Sequence, residues 1–359
     1  MKASMSKRSL NSTRKTLPNS ASAAFDYFYA QGYTDGLPII PPTEDLVEMA
    51  VASTGRAPSD VVACLPPTNG AATVEKIAVN AIMAGCRPEY TDVLIAAVEA
   101  LSDSRFRLEA VQLTMNPITP CLVVNGPIRK RLDVNCGTGV MGPGWRANAT
   151  IGRAIRLVLL NIGGAVPAEV DKSTQGFVGK YTFCIGENEE ASPWAPYHVE
   201  NGFAPDDSTL TAFGVNASIS LHDGSPRWED LLHSVVHGLM VSTAGNYTHP
   251  HAEAFIILNP LHAQILAAAG YTKGKLKSHL WEHARIPVAW LSEFRKSQRM
   301  AEGREYFEID GNVPLCSRKE NFALVVAGGM EGSYSSFLPT AMGHSVTRRI
   351  GTVPDVKPE

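Results

Sequence analysis

Three carboxylates, Glu187, Glu189 and Glu190, fall within four residues directly after the apolar run Tyr181–Gly186. Carboxylates held close together raise one another's pKa, which suits a general acid or base, and Glu187 and Glu190 are the candidates to move a proton. A solvated acidic turn would have the same composition. Cys136 stands in a glycine-rich loop ahead of a helical pattern and close in sequence to Arg146, where a thiolate is favoured. The alternative for Cys136 is a small packing residue. His249-Pro-His251-Ala-Glu253 alternates ligand types two apart, so in an extended chain both imidazoles and the carboxylate could meet one divalent transition metal ion. A polar turn is the competing reading. His233 and His237, four apart on a helical pattern, and His262 add to a local enrichment in which seven of ten histidines fall between positions 233 and 283.

A fourth constellation binds rather than reacts. The loop Cys136-Gly-Thr-Gly-Val-Met-Gly-Pro-Gly144 runs into a segment where Ile151, Ile155, Val158, Leu159 and Ile162 recur at helical spacing. Glycines let backbone amides approach a ligand, and a helix N-terminus offers free N–H groups with a partial positive charge. Gly142, Gly144, Arg146, Asn148 and Arg153 are therefore expected to line an anion site. Gly137-Thr-Gly139-Val-Met-Gly142 spells G-x-G-x-x-G, but charged residues precede it and Pro143-Gly144 delays the helix. No nucleotide cofactor is expected. A second loop of the same kind, Gly328-Gly329-Met-Glu-Gly332-Ser333, follows Phe322–Ala327 and makes Gly329 and Ser333 further anion contacts. It lacks the lysine of a P-loop, and a plain turn is its alternative.

The elements that must position these residues alternate. Buried strands are expected at Cys121–Pro127, Tyr181–Gly186, Leu210–Leu221, Ala254–Leu258 and Phe322–Ala327. Helices are expected at Phe25–Gln31, Glu44–Thr54, Val74–Gly85 (capped by Thr73), Glu89–Leu101, Trp228–Val241, Pro260–Ala269 and Lys275–Arg285, with a solvated helix or linker at Glu293–Glu305. This is an α/β pattern, a mixed or mostly parallel sheet with flanking helices in two lobes. The expected divisions are a disordered basic tail at 1–25, an α/β domain with the glycine loop at 26–203, and a second α/β lobe with the histidine cluster at 204–350.

Composition narrows the classes. Of 359 residues, 44% are hydrophobic and 19% charged, which fits a globular chain with a sizeable core. The net charge of −3 argues against a general nucleic-acid binder, and no 18-residue apolar run predicts a membrane span. Six cysteines, none in a C-x-x-C pair, read as reduced thiols of a cytoplasmic protein.

The segments Asp35-Gly-Leu-Pro-Ile-Ile-Pro-Pro-Thr43, Asn80-Ala-Ile-Met-Ala-Gly-Cys-Arg-Pro-Glu-Tyr90, Gly142-Pro-Gly-Trp-Arg-Ala-Asn-Ala-Thr-Ile-Gly-Arg153 and Glu187-Asn-Glu-Glu-Ala-Ser-Pro-Trp194 resemble the bacterial UGSC-type proteins, over roughly residues 32–203. That family is named for a selenocysteine-Gly-Ser-Cys motif, which is absent here. The resemblance carries over no catalytic residue.

Together these features predict an enzyme acting on a small anionic substrate, a carboxylate, by proton-transfer chemistry of the lyase, hydratase or hydrolase type, with an optional metal. One alternative is a thiol-based redox or group-transfer protein using Cys136. Another is a non-catalytic binding subunit whose glycine loops are interface turns. The expected partner is a small molecule, with room for a homo-oligomer.

Overall fold

In the central strands apolar side chains point both ways, and each way finds a different layer. The computed structural model describes residues 10–244, 253–302 and 310–351. Its strands are β1 Val61–Leu65, β2 Gly70–Thr73, β3 Thr119–Asn125, β4 Cys184–Gly186, β5 Thr209–Val215, β6 Ile219–His222, β7 Ala254–Leu258, β8 Arg285–Pro287, β9 Asn312–Pro314, β10 Phe322–Val326, β11 Tyr334–Pro339 and β12 Val346–Arg349. Its α-helices are α1 Ala21–Ala30, α2 Glu44–Ala52, α3 Val74–Ala84, α4 Thr91–Leu101, α5 Leu108–Leu113, α6 Ile128–Arg131, α7 Arg146–Asn161, α8 Tyr197–Glu200, α9 Trp228–Ala244, α10 Pro260–Ala268, α11 Lys273–His283 and α12 Glu293–Glu302.

On β3, Leu122 and Val124 pack with the helices α3, α4 and α7, while Cys121 and Val123 face a second sheet. On β7, Ile256 and Leu258 pack with α9 and α11, while Phe255 and Ile257 face back toward β3's sheet. A strand buried on both faces needs apolar residues at every position, which is why these runs are continuous rather than alternating. The result is four layers: helices, sheet, sheet, helices. Phe213 of β5 stacks on Phe255 of β7 at 4.0 Å between the sheets, an aromatic pair worth about 0.5–1.5 kcal/mol beyond its buried area.

The two four-stranded sheets have matching topologies. One runs β12-β5-β3-β4, the other β6-β11-β7-β10. In each, the central strand has a parallel neighbour (β4 beside β3, β10 beside β7) and an antiparallel one (β5 beside β3, β11 beside β7). In each, the strand that follows the antiparallel one crosses over. After β5 the chain leaves to form β6, which pairs with β11; after β11 it returns to form β12, which pairs with β5. The fold is therefore α/β with mixed sheets, and its halves exchange edge strands.

This exchange explains two differences from the sequence reading. Leu210–Leu221 is two strands, because residues 216–218 carry the chain from one sheet to the other. An expected boundary at 203/204 does not separate the sheets either, since β5 and β12 complete the sheet of β3 and a shared core joins the halves. The tail differs too. Leu10 is buried in the core, and the Asn11 and Ser12 amides donate to the carboxylate of Glu75, itself buried, at 2.8–3.0 Å. A buried carboxylate requires such donors, so residues 10–12 are held against the core, and α1 begins at Ala21 inside the same expected tail.

Local signals hold where they rest on backbone chemistry. Thr73 caps α3 by accepting the Lys76 amide at 3.2 Å, and Gly85 ends that helix at φ +94°. Among the described residues no helix is long and apolar enough to cross a membrane.

Candidate functional site

The carboxyl ends of β3, β4 and β10 meet at one point, bridging the two sheets. The Glu187 amide donates to Val124 O at 3.2 Å, and the Asn188 amide to Val326 O at 2.7 Å. The loop after α6 enters the same junction: Gly186 N donates to Asn135 O at 2.9 Å and Gly328 N to Cys136 O at 2.9 Å. Strand ends are where open α/β sheets present loops, so this is where a ligand site is expected.

Cys136 sits half-buried in this junction. Its neighbour Asn135 is gripped by Asn148: the Asn135 amide donates to Asn148 Oδ1 at 2.7 Å, and Asn148 Nδ2 donates to Asn135 O at 3.0 Å. Asn148 is the third residue of α7, so its side chain ties the residue before Cys136 to that helix. The Asn135 side chain ties the loop after Cys136 as well, accepting from Gly137 N at 2.9 Å and donating to Thr138 O at 3.1 Å. Arg129 Nη1 approaches Cys136 Sγ at 3.5 Å. Burial pushes the Cys136 thiol above its ordinary value, the nearby Arg129 cation pulls it back, and Glu190 and Glu189 push it up. Gly186 makes room for this packing. A Cβ there would stand 3.1 Å from Cys136 Cβ and 3.3 Å from Arg129 Cδ.

Arg129 is the hub. It is 2% exposed and pairs with two carboxylates: Nη2 with Glu189 Oε2 at 3.0 Å and Glu190 Oε1 at 3.0 Å, and Nη1 with Glu190 Oε2 at 3.2 Å. Lys130 Nζ adds a contact to Glu190 at 2.8 Å. Partial burial would raise the Glu190 carboxyl, but hydrogen bonds from Arg129 and Lys130 outweigh it and bring the pKa down to about 2. The crowding expected from sequence thus resolves into opposite-charge pairing, and a carboxylate with so low a pKa is a weak base near neutral pH.

Glu187 has a different fate. It is fully buried, and its Oε2 accepts from Asn125 Nδ2 at 2.6 Å and from the Tyr197 amide at 2.7 Å. Lys273 Nζ faces its Oε1 at 3.7 Å. With no exposed surface, Glu187 is a structural charge rather than a proton carrier for a diffusing substrate.

The expected anion contacts divide. Arg146 is exposed at the start of α7, with Nε donating to Gly85 O at 3.0 Å. Arg153 makes a two-pronged pair with Asp35, both contacts 2.8 Å, and also reaches Leu37 O. It clamps the Asp35–Leu37 turn onto α7 and does not face the glycine loop, because two turns of helix separate it from the N-terminus. Asn148 is buried and positions Cys136, as above. Gly142 closes a tight turn, its amide donating to Gly139 O at 2.7 Å, and Gly144 is exposed just before the helix. Gly329 packs against Thr138, where a Cβ would lie 2.5 Å from Thr138 Oγ1, and Thr138 Oγ1 donates to Glu331 Oε2 at 3.1 Å. The two glycine loops therefore touch. Ser333 turns the other way, its carbonyl accepting the Asp223 amide at 2.9 Å.

His249 and His251 lie outside the described residues. Glu253 is described, and its carboxylate is engaged by Ser345 through the amide at 2.9 Å and the hydroxyl at 3.0 Å, with His344 at 3.7 Å. Among the described residues no group of three or more His, Cys, Asp or Glu side chains converges as a metal site. His233 and His237 lie on one face of α9 with their rings tilted at 32° and centroids 4.0 Å apart. His262 is buried, bonding Ser335 Oγ at 2.8 Å and Asp223 O at 2.9 Å. An open basin lined by Trp228, Tyr271, Lys277 and His279 and a small cavity lined by Gln112, Arg156 and Asp171 lie elsewhere, and neither includes Cys136.

Sequence reasoning missed Arg129, Asn125 and Lys273. Arg129 reads as one of several charged residues in Arg129–Asp133, and only its place just after the strand-ending Asn125-Gly-Pro127 turn hinted at the site. No protein-family model and no curated protein sequence matches the chain.

Proposed function

We propose that the protein is an enzyme acting on a small anionic molecule, a carboxylate, through the thiol of Cys136. The observation that carries this is the Cys136 sulfur 3.5 Å from Arg129 Nη1, half-exposed where two glycine loops meet. The guanidinium matches a carboxylate with two parallel hydrogen bonds, as it already does for Glu190. In this scheme Glu190, the more exposed of Arg129's two partners, is displaced by the substrate's carboxylate. Exchange of one carboxylate for another keeps the charge balance while bringing the substrate against the sulfur.

Cys136, having lost its proton to solvent, then takes a proton from the carbon next to the substrate's carboxylate while a hydroxyl leaves the neighbouring carbon. A double bond forms, the hydroxyl takes a solvent proton and departs as water, and the thiol returns its proton to solvent, chemistry of the lyase or hydratase kind. Glu190, pinned at a pKa of about 2, is a counter-ion rather than the base. The resemblance of residues 32–203 to UGSC-type proteins belongs to the same proposal and assigns no residue role.

Parallel alkylation of the folded protein with iodoacetate and iodoacetamide, mapped by mass spectrometry, tests the site. Cys136 is expected to prefer the anionic reagent, and Arg129→Ala to abolish that preference. The exposed Cys64 serves as an internal control with no such bias. A Cys136 that reacts with neither reagent at pH 8, while Cys64 reacts with both, overturns the proposal.

A further inference from the structure

A ladder of charges runs inward from the surface to the buried side of the thiol site. Lys277 on α11 pairs with Glu200 at the end of α8. Glu200 Oε2 faces Lys273 Nζ at 3.5 Å, and Lys273 Nζ faces Glu187 Oε1 at 3.7 Å. Lys273 is 7% exposed and Glu187 fully buried; neither Lys273 Nζ nor Glu187 Oε1 has a hydrogen-bond partner among the described residues. Charge alone compensates them: Glu200 and Glu187 flank the Lys273 ammonium, and Lys273 is the cation facing Glu187. Glu187 passes the link on. Asn125 Nδ2 is shared between Glu187 Oε2 at 2.6 Å and Glu189 Oε1 at 3.0 Å, and Gly126 N donates to the same Glu189 oxygen at 2.7 Å. The other Glu189 oxygen holds Arg129, and Arg129 holds Cys136.

We infer that Lys273 is a positioning residue for the thiol. By compensating Glu187 it keeps Asn125 shared between the two carboxylates, so that Glu189 stays on Arg129 and Arg129 on the sulfur. The inference rests on the proposed role of Cys136 and concerns how that site is tuned. The charged groups facing Cys136 are Arg129 from α6 and Glu189 and Glu190 from the turn after β4, with Lys130 on Glu190. Lys273 reaches the sulfur only through them. Loss of the Lys273 cation leaves the buried Glu187 charge unbalanced. Asn125 then turns toward Glu187, Glu189 loosens, and net negative potential around Cys136 grows. An added negative charge disfavours a thiolate.

The test uses the full-length protein and two readouts. One is the pH profile of Cys136 alkylation by iodoacetamide. The other is the Gly126 amide resonance in glycine-labelled protein, which reports the bond to Glu189 without any thiol chemistry. Lys273→Met is expected to move the alkylation midpoint upward, slowing reaction at pH 7 on the order of threefold, a shift of about half a pKa unit. Gly126 should shift with it. Lys273→Arg keeps the charge and should restore both. The double variant K273M/E187Q carries neither buried charge and serves where the single variant does not fold: it should still move Gly126, since Glu187 no longer competes for Asn125 as a charged acceptor, while its alkylation midpoint returns toward wild type. A Gly126 shift with a Cys136 that never alkylates sinks the thiol proposal and leaves the Lys273 link standing. A reactive Cys136 whose midpoint, and a Gly126 whose resonance, ignore all three variants overturns the link.

Discussion

Two strand ends in this molecule are built alike and used differently. β3 ends in Asn125 and β7 is followed directly by Asn259, each strand lying inside its sheet and each leading through a proline into a helix. Asn259 is closed by neutral groups: Oδ1 caps α10 by accepting the His262 amide at 2.8 Å, and Nδ2 donates to the carbonyls of Gly332 and Tyr334 at 3.0 and 2.9 Å. Asn125 instead donates to two carboxylates, which lead to Arg129, Lys273 and a half-exposed thiol. The same backbone plan supports a finished joint in one half and an ionic cluster in the other. Fold topology locates where chemistry can sit, and the side chains placed there decide whether it does.

The contrast can be broken at several points. The largest effect is expected from Glu187→Ala. It removes one of the two carboxylates flanking the buried Lys273, leaving Glu200 at 3.5 Å, and should lower unfolding free energy by about 3 kcal/mol, the low end for a broken buried pair, read by chemical denaturation. Arg153→Ala comes next. It removes the clamp on Asp35 and should cost about 2–3 kcal/mol, less than a fully enclosed pair because part of the guanidinium reaches solvent. If Arg153 is structural, as its contacts indicate, Cys136 alkylation should be unchanged in that variant.

The two asparagines give the sharpest pairing. Asn259→Ala loses a helix cap and two carbonyl contacts, about 1–2 kcal/mol, and should leave Cys136 reactivity alone. Asn125→Ala should change the pH profile of Cys136 alkylation. If both variants alter that profile equally, the division of labour between the strand ends is wrong. Gly186→Ala, which presses a methyl against Cys136 and Arg129, should change the alkylation rate with a stability cost near 1 kcal/mol.

The smallest effect concerns acid stability. The Glu190 carboxyl is depressed from 4.5 to about 2 in the folded protein. Its contribution is therefore fully present above about pH 4.5 and lost as pH falls through about 2. Glu190→Gln should flatten the acid limb of the stability curve between those values. An unchanged limb would mean that Glu190 does not hold Arg129 in solution.

Much of the architecture was legible because it rests on local rules. The continuous apolar run Cys121–Val124 reads as a strand buried on both faces, and so it is. Thr73 reads as a cap because a threonine oxygen can reach an amide two or three residues on. The glycine loop running into a helix at Arg146 is a local pattern as well. Cys136 could be singled out because its neighbours in sequence are glycines and a helix start. Less was legible at the site, and for one reason: partner choice among charges is made through space. Arg153 looked like an anion ligand beside Arg146, yet its partner Asp35 lies 118 residues away. Arg129 looked like part of a charged turn, yet it holds Glu190 at a separation of 61.

By itself, then, the sequence determined most of the helices and the strands with long apolar runs, and that glycines, carboxylates and one thiol gather after buried strands, while strands such as β11 and β12 and the break between β5 and β6 are set by pairing across the sheets. The tertiary structure alone decided which of those groups are neutralised and which stay open. A second sheet covers the first and buries Glu187 against Lys273, and its strand β10 ends beside the loop of Cys136, where the Gly328 amide donates to Cys136 O. Burial sets the cost of an unpaired charge, and burial at a loop depends on what other parts of the chain lie over it, which periodicity along one segment does not encode.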